Sequence, residues 1–330
     1  MTRNKCIDII IVLVQIVQLF KYDFIFKKGD WDMIKITNVT KSYGKKKVHE
    51  NLKCTIKTGS IYGLVGANGA GKSTLLRIIN DVFSKDSGSI EIDGKILTGD
   101  ADLKQKLVFV PDDLFFFNGY TLMDMALFYK DMYKNFDIEY VKELAGILKL
   151  NVNEKINNFS KGMKRQCALI CALSTRCKYM FFDETFDGLD PVVRNAIKKI
   201  IMSQMESDDT TIVMTSHNLR ELEDICDNLG LLYKGGILFE SDIDTLKTNM
   251  FKVQISLKDE FDKDTFKDVE IMNFKKTGSV GSIIIKGEME KLKEELEKLN
   301  PIILDFLPLT LEEMFIYEME VLGYEFNQII

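Results

Sequence analysis

The segment Gly66–Ser73 has the residue types and spacing of a loop that binds phosphates: a glycine, four free positions and then Gly-Lys-Ser. Glycines let backbone N–H groups converge on phosphate oxygens, and a helix N-terminus beyond the loop adds a favourable dipole. Lys72 supplies a positive charge, and the Ser73 hydroxyl can ligate Mg²⁺. We therefore expect this segment to bind a nucleoside triphosphate rather than to be a glycine-rich turn without a ligand.

Two carboxylates and a histidine stand at the ends of two apolar segments. Asp183 and Glu184 follow Tyr179–Phe182, and His217 follows Thr211–Ser216. Such segments predict buried strands, and the carboxyl ends of strands in an open α/β sheet face the ligand crevice. We expect Asp183 to bind Mg²⁺, directly or through water, and Glu184 to polarise an attacking water. His217 could hydrogen-bond a γ-phosphate, although a lone histidine is more often structural.

The surrounding segments predict an α/β core. Ile61–Val65 is typical of a strand that enters the phosphate loop, and Ser73–Asn80 of a helix that leaves it. Leu107–Pro111 predicts another buried strand. From Thr121 to about Leu150 apolar residues recur at helical spacing, which indicates a helical insertion over about residues 113–175.

Upstream of the loop, alternating apolar and polar residues predict a small, mostly antiparallel β region. Met33–Val39 and Val48–Ile56 are predicted to be its strands. Lys41–Gly44 is predicted to be a turn, and it contains Tyr43. An aromatic side chain at that place could stack on a nucleotide base, although tyrosine is also common in surface turns.

The composition changes beyond residue 244. Phe251–Leu257 and Ser282–Lys286 predict strands, and a charged helix with leucines on one face follows them. Leu311–Leu322 predicts a closing helix. These elements indicate a small C-terminal α/β appendage over residues 245–330, and it contains no candidate catalytic group.

The first 32 residues allow three interpretations. Ile9–Phe20 is an uncharged run that is too short for a membrane-spanning helix and is interrupted by two glutamines. Arg3 and Lys5 precede it, as in a signal peptide, but no alanine occurs before Ala67 to supply an Ala-x-Ala cleavage site. A weak interfacial anchor, an edge segment of the fold and an upstream extension ahead of a start at Met33 all stay open, and we favour the extension.

The composition is typical of a globular protein with room for more than one domain. The 330 residues are 46% hydrophobic and 28% charged. The net charge of −6 argues against nucleic acid as a main partner. The six cysteines lack the paired CxxC spacing of a zinc site, which favours reduced thiols. Cys167 and Cys171 could share one helix face, where free cysteines usually pack as small hydrophobes rather than bind metal.

The motifs from Met33 to about Asp242, in their order and spacing, resemble the nucleotide-binding subunit of an ABC transporter. The resemblance implies a P-loop NTPase core over residues 33–244, with an antiparallel β subdomain and a helical insertion, that hydrolyses ATP with Mg²⁺. It also assigns roles to individual residues. Tyr43 would stack on adenine, and the nucleotide would be bound by Gly66, Ala67, Asn68, Gly69, Ala70, Gly71, Lys72, Ser73 and Thr74. Asp183 would join Ser73 and Asp112 at the metal, Glu184 would be the catalytic base, His217 the switch histidine and Asp190 the D-loop acid, while Ser160, Lys161, Gly162 and Met163 would form the signature.

Two positions depart from the family's pattern. The family usually has Leu-Ser-Gly-Gly-Gln where this chain has Phe159–Met163, so Lys161 replaces the first glycine. Asp112 stands where the family commonly has a glutamine that senses Mg²⁺ and water. Ser160 and the helix after it can still donate to a γ-phosphate, and a carboxylate at 112 can still ligate the metal. Both features resemble the branch of exporters whose membrane subunit is encoded separately.

The resemblance also implies partners. In the family two nucleotide-binding subunits face each other, and each ATP lies between the phosphate loop of one and the signature of the other. The implied assembly is a homo- or heterodimer attached to a separately encoded transmembrane permease at the cytoplasmic face of the cell membrane, without nucleic acid. Phe115–Phe117 lies where the family contacts the membrane subunit, and burial in the helical insertion explains these residues equally well.

A soluble ATP switch that acts on ribosomes or chromosomes is the alternative function. Ribosome-binding relatives carry two nucleotide domains in one chain, whereas this sequence has one phosphate loop. DNA-repair relatives insert a long coiled coil between that loop and the signature, and the interval from Ser73 to Ser160 is too short for one. The sequence therefore favours a transport motor.

Overall fold

The computed structural model describes residues 33–207 and 209–321. The predictions for residues 1–32 and for Leu322, the last residue of the predicted closing helix, lie outside this part of the chain. The described residues form three β-sheets, with helices between and beside them.

The first sheet is antiparallel; two of its strands precede the phosphate loop, as predicted, and the other two follow it. Its four strands are β1 (Met33–Tyr43), β2 (Lys46–Lys57), β4 (Ser87–Ile92) and β5 (Lys95–Ile96). Their order is β2-β1-β4-β5. The predicted turn at Lys41–Gly44 is wrong, because β1 continues through Tyr43, which pairs with Lys46. Gly44, with φ 59°, supplies the positive φ angle that so tight a hairpin turn requires.

The second sheet lies at the centre of the molecule. Its strands are β3 (Ile61–Val65), β6 (Leu107–Val110), β7 (Tyr179–Asp183), β8 (Thr211–Ser216), β9 (Asn228–Tyr233) and β10 (Gly236–Asp242). Their order is β10-β9-β3-β8-β7-β6, and all neighbours are parallel except β10 and β9. Val65 pairs with Ser216, and Asp183 pairs with Thr215. The carboxyl ends of β3, β8 and β7 therefore meet at one edge of the sheet.

Seven helices accompany these two sheets in the described residues. They are α1 (Lys72–Ile79), α2 (Ala101–Lys104), α3 (Leu122–Met132), α4 (Ile138–Ile147), α5 (Lys161–Leu173), α6 (Pro191–Ser207) and α7 (Leu219–Leu222). The continuous helical pattern predicted from Thr121 to Leu150 is two helices, α3 and α4. Thr121 forms a capping box with Asp124, and the Asp137 side chain accepts the Tyr140 N–H at the start of α4. A short 3₁₀ turn, Ile156–Asn158, leads to α5.

The third sheet belongs to the C-terminal part of the chain. Its elements are α8 (Ile243–Asn249), β11 (Met250–Ser256), β12 (Glu270–Thr277), β13 (Val280–Lys286), α9 (Met289–Glu297), β14 (Ile303–Leu307) and α10 (Leu311–Val321), with a 3₁₀ turn at Lys263–Phe266. The strands are antiparallel in the order β12-β13-β11-β14. Sequence patterns indicated β11, β13, α9 and α10 with bounds close to those observed, but they missed β9, β10 and β12.

Buried apolar side chains join the sheets to the helices. One cluster lies between the central sheet, α5 and the remaining insertion, and Met314, Phe315 and Met319 of α10 extend it. A second cluster lies between the central sheet, the antiparallel sheet and α1. The described cysteines are all buried and unpaired, in accord with packing as small hydrophobes. In residues 33–207 and 209–321 no helix has the length and apolar character needed to cross a bilayer.

Candidate active site

The phosphate loop connects β3 to α1 at the edge where the central strands end. Gly71, the N-cap of α1, has φ 109° and no side-chain cap, so the first N–H groups of the helix stay free to bind an anion. A Cβ atom at Gly71 would lie 2.7 Å from His49 Cε1, so only glycine fits. The Lys72 side chain reaches the start of the loop, where its ammonium group donates to the Gly66 carbonyl at 2.6 Å.

Three predicted site residues meet around one carboxylate. Lys72 Nζ lies 3.2 Å from Glu184 Oε1, and His217 Nδ1 lies 2.9 Å from Glu184 Oε2. Glu184 follows β7 directly with φ 50°, a left-handed conformation that turns its side chain away from the strand direction. Although Lys72 and His217 follow different strands, the parallel register brings both to Glu184.

Asp183, which precedes Glu184 in the sequence, is completely buried. Its Oδ1 accepts a hydrogen bond from Thr215 Oγ1 at 2.7 Å, and Thr215 Oγ1 in turn accepts the Glu184 N–H at 3.0 Å. Its Oδ2 is buried and has no partner among the described residues. An unpaired buried carboxylate oxygen is costly, and a hydrated Mg²⁺ would satisfy it, so the residues fit the predicted metal.

Lys72, Glu184 and His217 border a cavity of about 520 Å³, a volume suited to a nucleotide, and Asp183 does not line it. The lining comes from the phosphate loop and α1, from β2, and from side chains at or just after the ends of β1, β6, β7 and β8. The lining consists of Tyr43, Lys46, Val48, Asn68, Gly69, Gly71, Lys72, Ser73, Thr74, Asp112, Glu184, Asp187 and His217. Ala67 and Ala70 line a neighbouring cavity, and Gly66 lines neither.

Tyr43 and Asp112 both line the cavity. The Tyr43 side chain is 47% exposed at the end of β1, which leaves its ring accessible to a base. Asp112 pairs with Arg165, whose Nη2 lies 2.6 Å from Asp112 Oδ1. This carboxylate is therefore neutralised by a guanidinium, and its predicted part in metal binding stays a prediction.

The predicted signature residues lie outside the cavity. Ser160 is the N-cap of α5, and its Oγ accepts the Met163 N–H at 3.2 Å. Ser160 and Lys161 are exposed. Asp190 caps the next long helix by accepting the N–H groups of Val192 and Val193, each at 3.0 Å. The fold thus gathers the phosphate loop, Glu184 and His217, and leaves the signature open on the surface.

Sequence reasoning missed several residues of the site. Lys46, Val48 and Asp187 line the cavity, and Arg165 forms an ion pair with Asp112. Asp187 follows Glu184 by three positions, which was the available signal. The pKa of the Asp187 carboxyl is below its usual range, chiefly because Lys161 donates a hydrogen bond to it. His49 lies buried beneath Gly71, and burial lowers the pKa of its imidazole.

Comparison with known proteins agrees with this geometry. The family model described as ABC transporter matches residues 49–187. The chain is 30% identical over 287 residues to the ABC transporter ATP-binding protein YtrB of Bacillus subtilis (strain 168), covering 86% of this chain and 97% of that protein. The chain belongs to the ABC transporter ATP-binding proteins. It is also 32% identical to the lantibiotic transport ATP-binding protein SrtF of Streptococcus pyogenes, over 64% of this chain and 92% of the relative.

A solved ATP-binding subunit of an ABC transporter has the same fold, with a TM-score of 0.59 at 24% identity over 65% of this chain and 92% of that one. The predicted family and the predicted fold class, a P-loop ATPase core, are therefore confirmed. As an ABC transporter ATP-binding protein, the chain is an ATPase whose hydrolysis of ATP powers transport.

Proposed function

We propose that this ABC ATPase is the motor subunit of an exporter and that it dimerises around two ATP molecules. The observation that supports this most strongly is the convergence of Lys72, Glu184 and His217 at one cavity. The motor would comprise residues 33–244, and residues 245–330 would form an accessory domain without catalytic chemistry.

Several cavity residues, together with the buried Asp183, have a proposed task toward ATP. The free N–H groups of the phosphate loop and the Lys72 ammonium bind the β- and γ-phosphates, and the Tyr43 ring stacks on adenine. Ser73 and Asp183 would hold Mg²⁺, which neutralises phosphate charge when it is bound. Glu184 orients and polarises the attacking water, because its carboxylate stands beside Lys72 at the mouth of the loop.

His217 completes the same group. Its Nδ1 donates to the Glu184 carboxylate, so Nε2 of the neutral imidazole can accept a hydrogen bond from the attacking water, and it donates to a γ-phosphate oxygen only in the imidazolium form. The imidazole therefore orients the Glu184 carboxylate and contacts the terminal phosphate when ATP is bound.

The dimer is proposed because one chain leaves its signature unused. Ser160 and the N-terminus of α5 are exposed and do not line the cavity of their own subunit. A second nucleotide-binding subunit, identical or similar, would present these donors to the γ-phosphate across the interface. ATP then joins two anion-binding surfaces, and hydrolysis lets them separate.

Glu184→Gln tests this dimer, because it retains the shape of the side chain and removes the group that polarises water. With ATP and Mg²⁺ the variant should elute as a dimer in size-exclusion chromatography with light scattering, and Glu184→Gln/Lys72→Ala should stay monomeric. Glu139→Gln, a matched change on the exposed face of α4, should elute as the wild type does under the same conditions. A monomer at saturating ATP for Glu184→Gln would contradict the dimer.

The transport partner is proposed to be a separately encoded permease that holds the ATPase at the cytoplasmic face of the membrane. The relatives include a bacitracin transport ATP-binding protein of Bacillus licheniformis, 31% identical over 65% of this chain, and its name supports a transport role here. The Phe115 side chain is 74% exposed beside α3 and offers an apolar contact for that permease.

Affinity purification from detergent-solubilised membranes tests the permease. A polytopic membrane protein should co-purify with the wild type and be reduced with Phe115→Ser. Recovery of ribosomal or chromosomal proteins in its place would favour a soluble ATP switch.

A further inference from the structure

The two residues that depart from the family's pattern, Lys161 and Asp112, belong to one charge cluster. Arg165 Nη2 lies 2.6 Å from Asp112 Oδ1 and 3.6 Å from Asp187 Oδ2. Lys161 Nζ lies 3.2 Å from the same Asp187 oxygen. We call these four residues the Arg165 cluster. The two substitutions are therefore joined in space through Arg165 and Asp187.

Because Arg165 is buried, the stability of its charged side chain depends on its two carboxylate partners, Asp112 and Asp187. Its side chain is 1% exposed, and its Nε and Nη1 atoms are buried without a hydrogen-bond partner among the described residues. A buried guanidinium is costly unless it is paired, so the helix that carries it is stable only where the carboxylates can reach it. Asp112 and Asp187 are 54% and 45% exposed and face the nucleotide cavity.

The cluster joins the signature to the cavity of the same subunit. Lys161 and Arg165 lie in the first turns of α5, directly after Ser160, whereas Asp112 follows β6 and Asp187 follows β7. The backbones are also close, because a Cβ atom at Gly162 would lie 3.1 Å from the Gly188 carbonyl oxygen. A shift of Asp187 or Asp112 would therefore move the start of α5.

We propose that Arg165 is a positioning residue of the ATPase, which fixes the signature turn against Asp112 and Asp187 of the cavity wall. This inference rests on the dimer proposed above. The signature of one subunit then contacts the partner's ATP in an orientation set by the walls of its own cavity. The Arg165 cluster thereby couples the two ATP sites of the dimer, and Asp112 acts through Arg165 rather than as a metal ligand.

Arg165→Gln in the Glu184→Gln background tests the coupling through dimerisation. ATP-dependent dimerisation should weaken about tenfold, in the range of measured couplings between sites. The affinity of the monomer for a fluorescent ATP analogue should change less than about twofold, because no atom of Arg165 lines the cavity. In the Glu184 parent, kcat should fall by about the same tenfold with KM unchanged, and Arg165→Lys should recover part of kcat.

Arg176→Gln is the matched control. Arg176 follows the far end of α5 and pairs at 3.2 Å with Asp137, the N-cap residue of α4, so its loss breaks an ion pair of the same helical region away from the cavity. This variant should lower the melting temperature without the loss of dimerisation. If Arg165→Gln does not fold, Asp112→Asn/Asp187→Asn removes the same ion pairs from half-exposed positions; because both carboxylates line the cavity, this variant is judged by dimerisation at ATP concentrations that saturate its own monomer.

The outcomes separate the two proposals. A Glu184→Gln parent that never dimerises with ATP overturns the dimer and the inference together. A parent that dimerises while Arg165→Gln dimerises and turns over equally well overturns the inference alone. Equal losses of dimerisation in Arg165→Gln and Arg176→Gln would also overturn it, because a general weakening of this helical region would then explain both.

Discussion

Thr215→Val probes the hydrogen bonds that hold the two carboxylates of the site. Thr215 Oγ1 donates to Asp183 Oδ1 at 2.7 Å and accepts the Glu184 N–H at 3.0 Å. Valine has nearly the same shape and makes neither bond. Loss of a hydrogen bond to a charged group costs about 1.5–3 kcal/mol, and a stranded buried donor about 1–3 kcal/mol more. We expect the free energy of unfolding to fall by about 3–5 kcal/mol.

Thr185→Val is the matched control for that variant. Thr185 is equally buried and lies two positions from Asp183, but its Oγ1 has no hydrogen-bond partner among the described residues. Removing an unpaired buried hydroxyl should leave stability unchanged or raise it by about 1 kcal/mol. Equilibrium urea unfolding measures both values, and kcat should fall about 10–100-fold for Thr215→Val alone. Equal stability and kcat in the two variants would refute the idea that Thr215 organises Asp183 and Glu184.

Gly71, Tyr43 and His49 allow three further predictions, on the phosphate loop, on stacking with adenine and on the pH dependence of stability. Gly71→Ala should cost about 1–3 kcal/mol of stability and abolish ATP binding, because φ is 109° and His49 lies against the new methyl group, whereas Gly146→Ala, in α4 with open space around its Cα, should be neutral or stabilising. Tyr43→Ala should raise the Kd for ATP by about 5–150-fold through lost stacking, and Tyr43→Phe should keep wild-type affinity in the same titration. Burial lowers the pKa of His49 below its ordinary value of 6.5. Below pH 6.5 this histidine therefore binds a proton in the unfolded chain but not in the folded chain. Its contribution to the free energy of unfolding is constant above pH 6.5 and decreases as the pH falls below that value. Urea unfolding at pH 7 and pH 5.5 should show a smaller decrease for His49→Leu than for wild type, and an equal decrease would contradict the assignment.

The residues of the phosphate loop were predictable because their chemistry is local. Gly66–Ser73 carries its glycines, lysine and serine in one run, and the strand and helix on either side follow from adjacent apolar residues. The placement of Asp183, Glu184 and His217 at one edge of the sheet was predictable for a related reason, since each ends or directly follows an apolar strand and the ends of parallel strands meet.

Other features depend on pairs that are distant in sequence. Arg165 and Asp112 are 53 positions apart, and no local pattern indicates that a buried arginine of α5 joins a carboxylate after β6. The strand β1 extends through Tyr43 because β2 pairs with it, and this tertiary contact overrides the turn residues. The strand β12 is an edge strand with a register shift between Ile271 and Asn273, so its alternation is broken.

The central claim is that Lys72 binds the phosphates of ATP in a cavity that it shares with Glu184 and His217. Equilibrium titration with a fluorescent ATP analogue tests it most directly. Lys72→Ala should weaken binding at least about 100-fold relative to wild type, while Lys142→Ala, a surface change on α4, should bind as wild type does. Equal affinity for the nucleotide in Lys72→Ala and wild type would contradict the claim.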